Sequence, residues 1–456
     1  MITDREQYKR LTIFLEVIVL LTIHTLLYVY VWKNYYMSSI QIPFARRGNL
    51  AMVSVYPIML LVFGKLFGVF KVAIARKVDM ICSNIFNVLV SNVAVYFLFV
   101  LLIRYYHQVS IWPLVIITLI ECAVIVGWVM AVDALNNVLY PPHDMLLIHG
   151  DYSLKDFVFL VNEKSSRYSI TEEININEDM GLIIRKIDQH DSVIISDLPA
   201  QQRNDVLKYC YGSGKRIYML PKITDIIVRS ASDIHLFDTT ALLSRNFGLT
   251  FDQLAVKRAL DILISGIMIV CTGWLMLIIA AAIKKSDGGP VFYRQDRLTR
   301  NKEVFKIIKF RSMRVDAEAN GPQLSVKNDP RITKVGHVLR ECHLDELPQL
   351  FNVFIGQMSM VGPRPERPSI AEEYTECVPE FDYRLKVKAG LTGYAQVYGR
   401  YNSTPYNKLR LDLTYIQNYS VWLDLKCMMM TVRILFTRDA REGIDEDQRT
   451  AMKKQI

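Results

Sequence analysis

Two adjacent carboxylates stand in an otherwise apolar stretch, HLDELPQL, at residues 343–350. They are Asp345 and Glu346, and Pro348 follows two positions later. Asp is a favoured helix N-cap and Pro is tolerated in a first helical turn, so one interpretation is that the pair starts the apolar helix of QLFNVF. The positive end of a helix dipole also favours an ionised carboxylate. The second interpretation is therefore chemical: a carboxylate nucleophile beside a carboxylate that binds a metal ion.

A strongly basic stretch precedes the acid pair. Between Lys284 and Arg314 there are ten basic and three acidic residues, a balance of +7, and apolar residues are interleaved with them. Basic residues on an apolar surface bind lipid headgroups, and arginine forks bind phosphate. A site that acts on phosphate at the headgroup level of a membrane would need both properties.

The composition agrees with a membrane protein. The chain has 456 residues, 51% of them hydrophobic, with a formal net charge of +9. Because the apolar residues are clustered, the basic balance favours anionic lipids or phosphorylated substrates over nucleic acid as partners.

Four apolar runs fill the first third, at about 11–32, 50–70, 84–103 and 111–132. Each approaches the ~20 residues that cross a bilayer as a helix, which predicts a four-helix transmembrane domain over residues 1–135. With the N-terminus inside, the inner segments hold six basic residues and the outer segments hold four. This bias favours both ends of the domain in the cytoplasm. The inner residues are Arg5, Lys9, Arg10, Lys71, Arg76 and Lys77, and the outer ones are Lys33, Arg46, Arg47 and Arg104.

Three charged residues fall within or near these helices: Glu16, Lys65 and Glu121. Charge inside a membrane marks function by default. The simpler interpretation is that the glutamates face other helices and that Lys65 extends to the interface from near a helix end.

Strands alternate with helices over 143–240, where MLLIHG, SVIISDLP and KRIYMLP are short β-rich runs. This alternation predicts a small parallel α/β domain of Rossmann-like type. It has no G-x-G-x-x-G motif, so a structural or regulatory role is favoured over dinucleotide binding. A linker is predicted at 241–255.

The next apolar segment, KRALDILISGIMIVCTGWLMLIIAAAIKK, has a basic pair at each end. A spanning helix tends to show basic bias on one side only. The pattern therefore predicts a re-entrant helix at 258–284, held at the headgroups by both pairs. Gly next to Ser or Thr is a common cause of kinks, so Ser265-Gly266 and Thr272-Gly273 are candidate breaks.

Several blocks after this helix carry a resemblance. GPVFYRQDRLTRNKEVFKIIKFRSMR, NDPRITKVGHVLRECHLDELPQLFNVFIGQMSMVGPRPERP, VKAGLTGYAQVYGR and YNKLRLDLTYIQNYSVWLDLK follow one another. Together they resemble the bacterial polyprenyl-phosphate sugar-1-phosphate transferases, which initiate exopolysaccharide, capsule and O-antigen synthesis. The resemblance covers about 256–448, and the preceding helices and α/β domain are similar to the large form of the family.

The resemblance implies a fold of membrane α plus α/β class. The catalytic domain, 256–448, would be a mixed domain on the re-entrant helix with interfacial amphipathic helices. It implies a bacterial inner-membrane protein whose catalytic domain faces the cytoplasm, and it favours a homodimer.

The resemblance also implies a reaction. A UDP-sugar gives its sugar 1-phosphate to a polyprenyl phosphate such as undecaprenyl phosphate, and UMP is released. Asp345 matches the family's nucleophile, which attacks the β-phosphorus and forms a phosphosugar-aspartyl intermediate, and Glu346 lies beside it with Mg²⁺. The family's phosphate-binding residues match four positions here, namely Lys309, Arg311, Arg340 and Arg364. The sugar is left open.

Two positions depart from the family pattern. Gly273-Trp274 stands where the family usually has Ser-Pro at the helix break, and His343 stands where it usually has Ser or Thr. His343 is interpreted as a cap variant or as an electrostatic neighbour of the acid pair. Two other functions are less favoured: a membrane scaffold or sensor that binds nucleotide sugar or lipid phosphate without turnover, and a transporter. A scaffold could lose the acid pair and its basic partners freely, yet Asp345, Glu346, Lys309, Arg311 and Arg364 are all present, and the large soluble remainder disfavours a transporter.

Overall fold

A computed structural model describes residues 4–37, 46–70, 72, 77–102, 110–140, 142–150, 154–164, 168–244, 248–314, 329–399 and 404–436. The chain divides into two compact units, Met1–Pro221 and Lys222–Ile456. Three residues used in the charge count, Lys71, Arg76 and Arg104, lie outside the described ranges, as does the end of the predicted catalytic domain at 437–448.

Four long helices open the first unit: α1 (Asp4–Val31), α2 (Arg46–Phe67), α3 (Lys77–Leu102) and α4 (Trp112–Leu139). Each overlaps one predicted apolar run, and each is long and apolar enough to cross a membrane. The predicted four apolar helices are confirmed, and the chain is a membrane protein.

The interior of this bundle contains carboxylates. Glu121 on α4 is 0% exposed and accepts hydrogen bonds from Tyr56 Oη (2.7 Å) and Asn92 Nδ2 (2.8 Å); His24 Nδ1 lies 3.2 Å from the same carboxylate. Glu16 accepts a bond from Asn136 on α4. Both glutamates therefore face other helices, as predicted. Lys65 is exposed near the end of α2, also as predicted.

A parallel sheet follows in the same unit. Its elements are β1 (His143–His149), α5 (Lys155–Lys164), β2 (Tyr168–Asn175), α6 (Met180–Gln189), β3 (Ser192–Ser196), α7 (Ala200–Gly212) and β4 (Arg216–Met219). The strand order is β2-β1-β3-β4, with every pairing parallel. Leu146 of β1 enters one hydrophobic core and Leu147 the other, so both faces are covered, which explains the apolar runs. The predicted parallel α/β region is confirmed.

Gly150 at the end of β1 has a packing explanation. A Cβ at this position would lie 2.6 Å from the carbonyl oxygen of Asp197, which follows β3. The glycine therefore permits close approach of two strand ends. Residues 151–153, where a phosphate loop would continue, lie outside the described ranges.

The second unit begins with α8 (Ile223–Arg229) and a hairpin, β5 (Ser232–Leu236) and β6 (Thr239–Leu243). Ile223 and Ile226 of α8 belong to this unit's core. The compact unit that holds the sheet thus ends at Pro221, ahead of the expected limit at 240. The exact domain limits and the linker at 241–255 stay predictions.

Helix α9 (Phe251–Asp287) is one α-helix of 37 residues, about 55 Å long at ~1.5 Å per residue. It stays helical through Thr272 and Gly273, so the chain is not interrupted at the predicted break. The physical reason is that Trp274, unlike proline, keeps its backbone N–H. Thr272 Oγ1 donates to Met268 O (2.7 Å), a bond that bends helices without ending them. A bend of the axis there stays a prediction.

The basic pair at the start of α9 is placed differently from expectation. Lys257 is only 5% exposed and pairs with Asp424 (2.5 Å). Arg258 donates to the carbonyl oxygens of Val353 and Phe354 (2.8 and 2.7 Å). The prediction that this pair binds headgroups is wrong, because a buried acid and helix-end carbonyls of the same unit engage it.

Asp261, one turn further along α9, ties the helix to the strand that follows the acid pair. Its Oδ1 accepts bonds from Ser359 Oγ (3.0 Å) and from the backbone nitrogen of Met360 (2.8 Å). Helix α9 is thus fastened to the rest of this unit by three polar side chains, Lys257, Arg258 and Asp261, within its first three turns.

The remaining elements form the body of the second unit. They are β7 (Phe292–Leu298), β8 (Val304–Phe310), α10 (Lys334–Glu341), α11 (Gln349–Ile355), β9 (Ser359–Val361), α12 (Pro368–Cys377), β10 (Gly390–Thr392), α13 (Tyr394–Tyr398), α14 (Pro405–Gln417) and α15 (Val421–Phe436). Strands β7 and β8 are an antiparallel hairpin, and β9 and β10 are a parallel pair. A Cβ on Gly390 would overlap the backbone of Gly362, which explains why the VGPRP and AGLTG segments both carry glycine.

Candidate active site

The acid pair lies in a short 3₁₀ turn, Leu344–Glu346, between α10 and α11. Helix α11 starts only at Gln349, with Pro348 in the cap position, so the interpretation of Asp345 as the cap of this helix is wrong. A tight turn, not a helix start, presents the two carboxylates. His343 precedes the turn at φ 53°, without a side-chain cap bond. Its contribution is electrostatic, since it helps to lower the pKa of Glu346.

Glu346 is held by two cations from different elements. Lys309 Nζ, at the end of β8, lies 2.7 Å from Oε1, and Arg364 Nη2, after β9, lies 3.1 Å from the same atom. Burial opposes ionisation of Glu346, but Lys309 and Arg364 outweigh it and lower its pKa. The side chain is therefore a carboxylate across the physiological range.

Asp345 is shifted in the opposite direction. Burial, and then the neighbouring charge of Glu346, raises the pKa of Asp345 to about 6, although Lys309 and Arg340 counteract the shift. The structure thus brings Lys309 and Arg340 into the electrostatic environment of Asp345. Adjacent carboxylates whose environments separate their pKa values are a common arrangement in active sites.

Arg311 occupies another position. It is buried, and its Nε donates to Pro290 O (2.8 Å) at the junction between α9 and β7. A Cβ on Gly289 would lie 2.7 Å from Arg311 Nη1, so the GGP turn and this arginine fit together. Its role in phosphate binding stays a prediction. Thr272 and Gly273 lie within α9.

Asn352 is a positioning residue that the sequence analysis missed. Its side chain is fully buried and joins α11 to β8: Nδ2 donates to Lys306 O (2.9 Å) and Oδ1 accepts from Ile308 N (3.0 Å). These bonds end one residue before Lys309, so they set the distance between Lys309 and Glu346. The signal in the sequence is a lone amide inside the apolar run LFNVF, residues 350–354.

The segment that carries Arg364 is held through its main chain. Arg384 Nη2 donates to the carbonyl oxygen of Arg364 (2.9 Å), and Arg297 Nη1 donates to that of Pro365 (3.0 Å). Arg384 is in turn paired with buried Asp412 (2.8 Å). No local sequence pattern indicates this arrangement, because its members lie far apart in the chain.

A small pocket that is partly open to solvent lies beside Glu346. Its lining residues are Arg297, Ile307, Lys309, Glu346, Gln349, Arg364, Pro365, Gly390 and Leu391. The enclosed space is far smaller than a drug-sized ligand, so it suits a small polar group or one end of a larger ligand. Three basic side chains against one carboxylate favour an anionic group.

The donor set fits a shared Mg²⁺ site. Over the ranges that the structure describes, no group of three or more His, Cys, Asp or Glu side chains could hold a metal on its own. Mg²⁺, however, is commonly bound by one or two carboxylates together with substrate phosphates. Asp345 and Glu346 would supply the carboxylates of such a site and leave the rest to a phosphate ligand; Mg²⁺ binding stays a prediction.

Comparison with known proteins places this site in a family. The family model of the bacterial sugar transferases matches residues 252–438. A UDP-glucose:undecaprenyl-phosphate glucose-1-phosphate transferase from Caulobacter vibrioides is 36% identical over 214 residues, which is 45% of this chain and 80% of the relative. The chain belongs to the bacterial sugar transferase family. Every predicted site residue lies within the part that matches the sugar transferase model.

Two larger sugar transferases are similar over the same part. A protein of the same name from Klebsiella pneumoniae is 42% identical over 185 residues, 40% of this chain and 40% of the relative. A UDP-N-acetylgalactosamine-undecaprenyl-phosphate N-acetylgalactosaminephosphotransferase from Aeromonas hydrophila is 40% identical, over 40% of this chain and 44% of the relative. The match to these two thus spans less than half of their length.

Proposed function

We propose that this protein transfers a sugar 1-phosphate from a UDP-sugar to undecaprenyl phosphate and releases UMP, as the first membrane step of polysaccharide synthesis. The observation that carries the proposal is the pair of carboxylates with opposite pKa shifts at the edge of a basic pocket. The names of the similar sugar transferases describe this type of transfer.

The proposed chemistry has two steps. A carboxylate oxygen of Asp345 attacks the β-phosphorus of the UDP-sugar, the bond to the oxygen that bridges the two phosphates breaks, and UMP leaves with that oxygen. A phosphate oxygen of undecaprenyl phosphate then attacks the phosphorus of the aspartyl intermediate, which restores the Asp345 carboxylate. Neither nucleophile needs a base, since both react as anions; the requirement is charge neutralisation and alignment.

The basic residues meet that requirement. Lys309 and Arg364 are held close to Glu346 and face the pocket, and Arg340 stabilises the ionised form of Asp345. Asp345 and Glu346 would hold Mg²⁺ together with the substrate, and the ion would supply further neutralisation of phosphate charge.

The assay that tests this function measures UMP and lipid product together. Full-length protein in nanodiscs with Mg²⁺, undecaprenyl phosphate and a panel of UDP-sugars should yield UMP and a sugar-diphospho-lipid in equal amounts. UDP-glucose and UDP-N-acetylgalactosamine head the panel, because similar proteins are named for both. A scaffold or sensor would bind a panel member without releasing UMP, and that result would contradict the proposal.

We further propose that α9 is re-entrant and that the second unit faces the cytoplasm, where UDP-sugars are made. Two contacts support this topology. Arg258 near the start of α9 bonds to the end of α11, and Pro290 just after its end bonds to Arg311, so both ends are held by one compact unit. Exposed apolar side chains lie between them, among them Val270 and Leu277, and suit contact with lipid.

Single cysteines test the topology. Thr250→Cys and Arg300→Cys, each in a variant without the seven native cysteines, flank the helix. An impermeant thiol reagent should label neither on intact cells and both after the membrane is opened. Labelling of only one of them on intact cells would show that α9 spans. The Rossmann-like assignment of the α/β domain and the homodimer stay predictions.

A further inference from the structure

Gln349 at the start of α11 has a buried side-chain amide nitrogen that no atom in the described part of the chain bonds. The residue is 3% exposed, and its Nε2 is buried without a hydrogen-bond partner in the described part of the chain. Buried polar atoms are bonded in the large majority of cases, so an unbonded amide nitrogen needs an explanation. The side chain lines the pocket beside Glu346, Lys309 and Arg364, which offers one.

The surroundings specify what could bond to Gln349. An amide nitrogen can only donate, so the missing partner is an acceptor atom. Arg297, which also lines the pocket, likewise has a buried Nε without a partner over the described ranges. Two unused donors beside Lys309 and Arg364 point to an oxygen-rich anion.

Hydrogen bonds of a neighbouring residue on α11 hold the backbone of Gln349 in position. Asn352, one turn further along α11, fixes the helix to β8. The turn with Asp345 and Glu346 lies directly before Pro348 and Gln349. The amide therefore lies one short turn from the reacting carboxylate, at a position set by buried bonds rather than by a loop.

We propose that Gln349 is a substrate-binding residue whose side-chain amide donates a hydrogen bond to a diphosphate oxygen of the UDP-sugar. This inference rests on the proposed function and names a further contact at the same site. A neutral donor adds a hydrogen bond without adding charge to a pocket that already has three basic residues. The bond forms only when the substrate is present, so the amide is unbonded without it.

Gln349→Met separates this role from a structural one, because methionine keeps the volume and removes the amide. The matched control is Leu350→Met, at the neighbouring buried position, which is not among the lining residues. Full-length variants in nanodiscs would be compared by steady-state UMP release and by the shift in Tm on addition of UDP.

We expect Gln349→Met to raise KM about tenfold, which corresponds to ~1.4 kcal/mol, and to reduce the UDP-induced shift in Tm. The Tm without ligand should stay equal or rise, since an unpaired buried donor has been removed. Gln349→Glu, which brings a carboxylate to the diphosphate, should weaken binding further. Leu350→Met should leave KM and the UDP-induced shift unchanged.

Two results would overturn the inference. A fall in ligand-free Tm with unchanged KM would show that Gln349 is purely structural. A higher KM for the UDP-sugar with an unchanged shift by UDP would place the contact on the sugar instead. If the wild type releases no UMP from any UDP-sugar, the proposed function fails, while the UDP-induced shifts of wild type and Gln349→Met still decide whether Gln349 contacts the diphosphate.

Discussion

Two groups of carboxylates in this protein, one fully buried and one partly buried, have different surroundings. In the four-helix bundle, Glu121 receives one polar contact from each of the other three helices, from His24, Tyr56 and Asn92. In the second unit, Glu346 is held by Lys309 and Arg364, while Asp345 beside it has a raised pKa. Both oxygens of Glu121 are bonded within the bundle. The acid pair instead lies beside a pocket that a ligand could enter.

The contrast separates a carboxylate that the protein itself satisfies from a pair beside which a ligand could bind. Both oxygens of Glu121 are bonded to neighbouring helices, so its hydrogen bonds join the helices of the bundle. At the acid pair the cations come from β8 and from the segment after β9, and Gln349 Nε2 has no hydrogen-bond partner within the described part of the chain. The number of hydrogen bonds that the protein itself provides to a carboxylate is therefore a better guide to its role than its burial alone.

The sharpest test of this contrast is Asp345→Asn. If Asp345 is the nucleophile, the variant should lose at least ~10³-fold in turnover, since the amide cannot form the covalent intermediate. It should remain folded, with a Tm near that of the wild type. Wild-type protein given labelled UDP-sugar without lipid acceptor should retain label, and Asp345→Asn should not. Residual activity close to wild type would remove Asp345 from the mechanism.

Loss of the hydrogen bond from Arg384 to the carbonyl oxygen of Arg364 should have the next largest effect. Arg384→Met leaves Asp412 as an uncompensated buried carboxylate, which costs about 3–5 kcal/mol, and it frees the backbone of Arg364. We expect a lower Tm and a ~10- to 100-fold loss of activity.

The double variant Arg384→Met/Asp412→Leu should recover much of the Tm, because the unpaired charge is gone, but not the activity, because the bond to the carbonyl of Arg364 is still missing. Recovery of both would show that Arg384 contributes stability only, and recovery of neither would show that the pair does more than hold this segment.

A smaller effect is expected on the pH profile. The pKa of Asp345 is raised to about 6, so if Asp345 attacks as a carboxylate, kcat/KM should fall as the pH drops through about 6. Glu346, whose pKa is lowered, stays ionised in this window. Arg340→Met removes a cation that favours the carboxylate of Asp345, so the acid limb should move to higher pH, by up to about one unit. A limb that moves to lower pH would contradict the assignment.

The smallest effect on activity should come from the bundle. Glu121→Gln keeps the size of the side chain but places an amide nitrogen opposite Tyr56 or Asn92, both hydrogen-bond donors. We expect a loss of about 1 kcal/mol in stability and less than a twofold change in UMP release. A tenfold loss of activity in a folded Glu121→Gln variant would show that the bundle has a role in turnover and that Glu121 is not purely structural.

The sequence predicted those features that depend on local pattern. Hydropathy located the four apolar helices, strand alternation located the parallel sheet, and the motif blocks located Asp345 and Glu346. The pairing of Lys257 with Asp424 was missed because the two residues are 167 positions apart. The prediction that Lys257 binds headgroups is wrong for this reason, since the residue is buried against Asp424.

Tertiary bonds also decide features that local rules misjudged. A helix start was one interpretation of HLDELPQL, but the structure has a 3₁₀ turn first and starts α11 at Gln349. The roles of Asn352 and Arg384 depend on which carbonyl oxygens lie opposite them. Such partners cannot be read from spacing along one segment.

The bond between Asp261 and the backbone of Met360 has a mechanical consequence. Met360 lies four residues before Arg364, so this bond links the early turns of α9 to the segment that carries Arg364. A lipid-embedded helix settles at a depth set by the thickness of the surrounding bilayer. If α9 lies in the lipid as proposed above, its depth helps to set the height of Arg364 and of the pocket above the lipid surface, and so the distance that the phosphate of a lipid acceptor must rise to meet it.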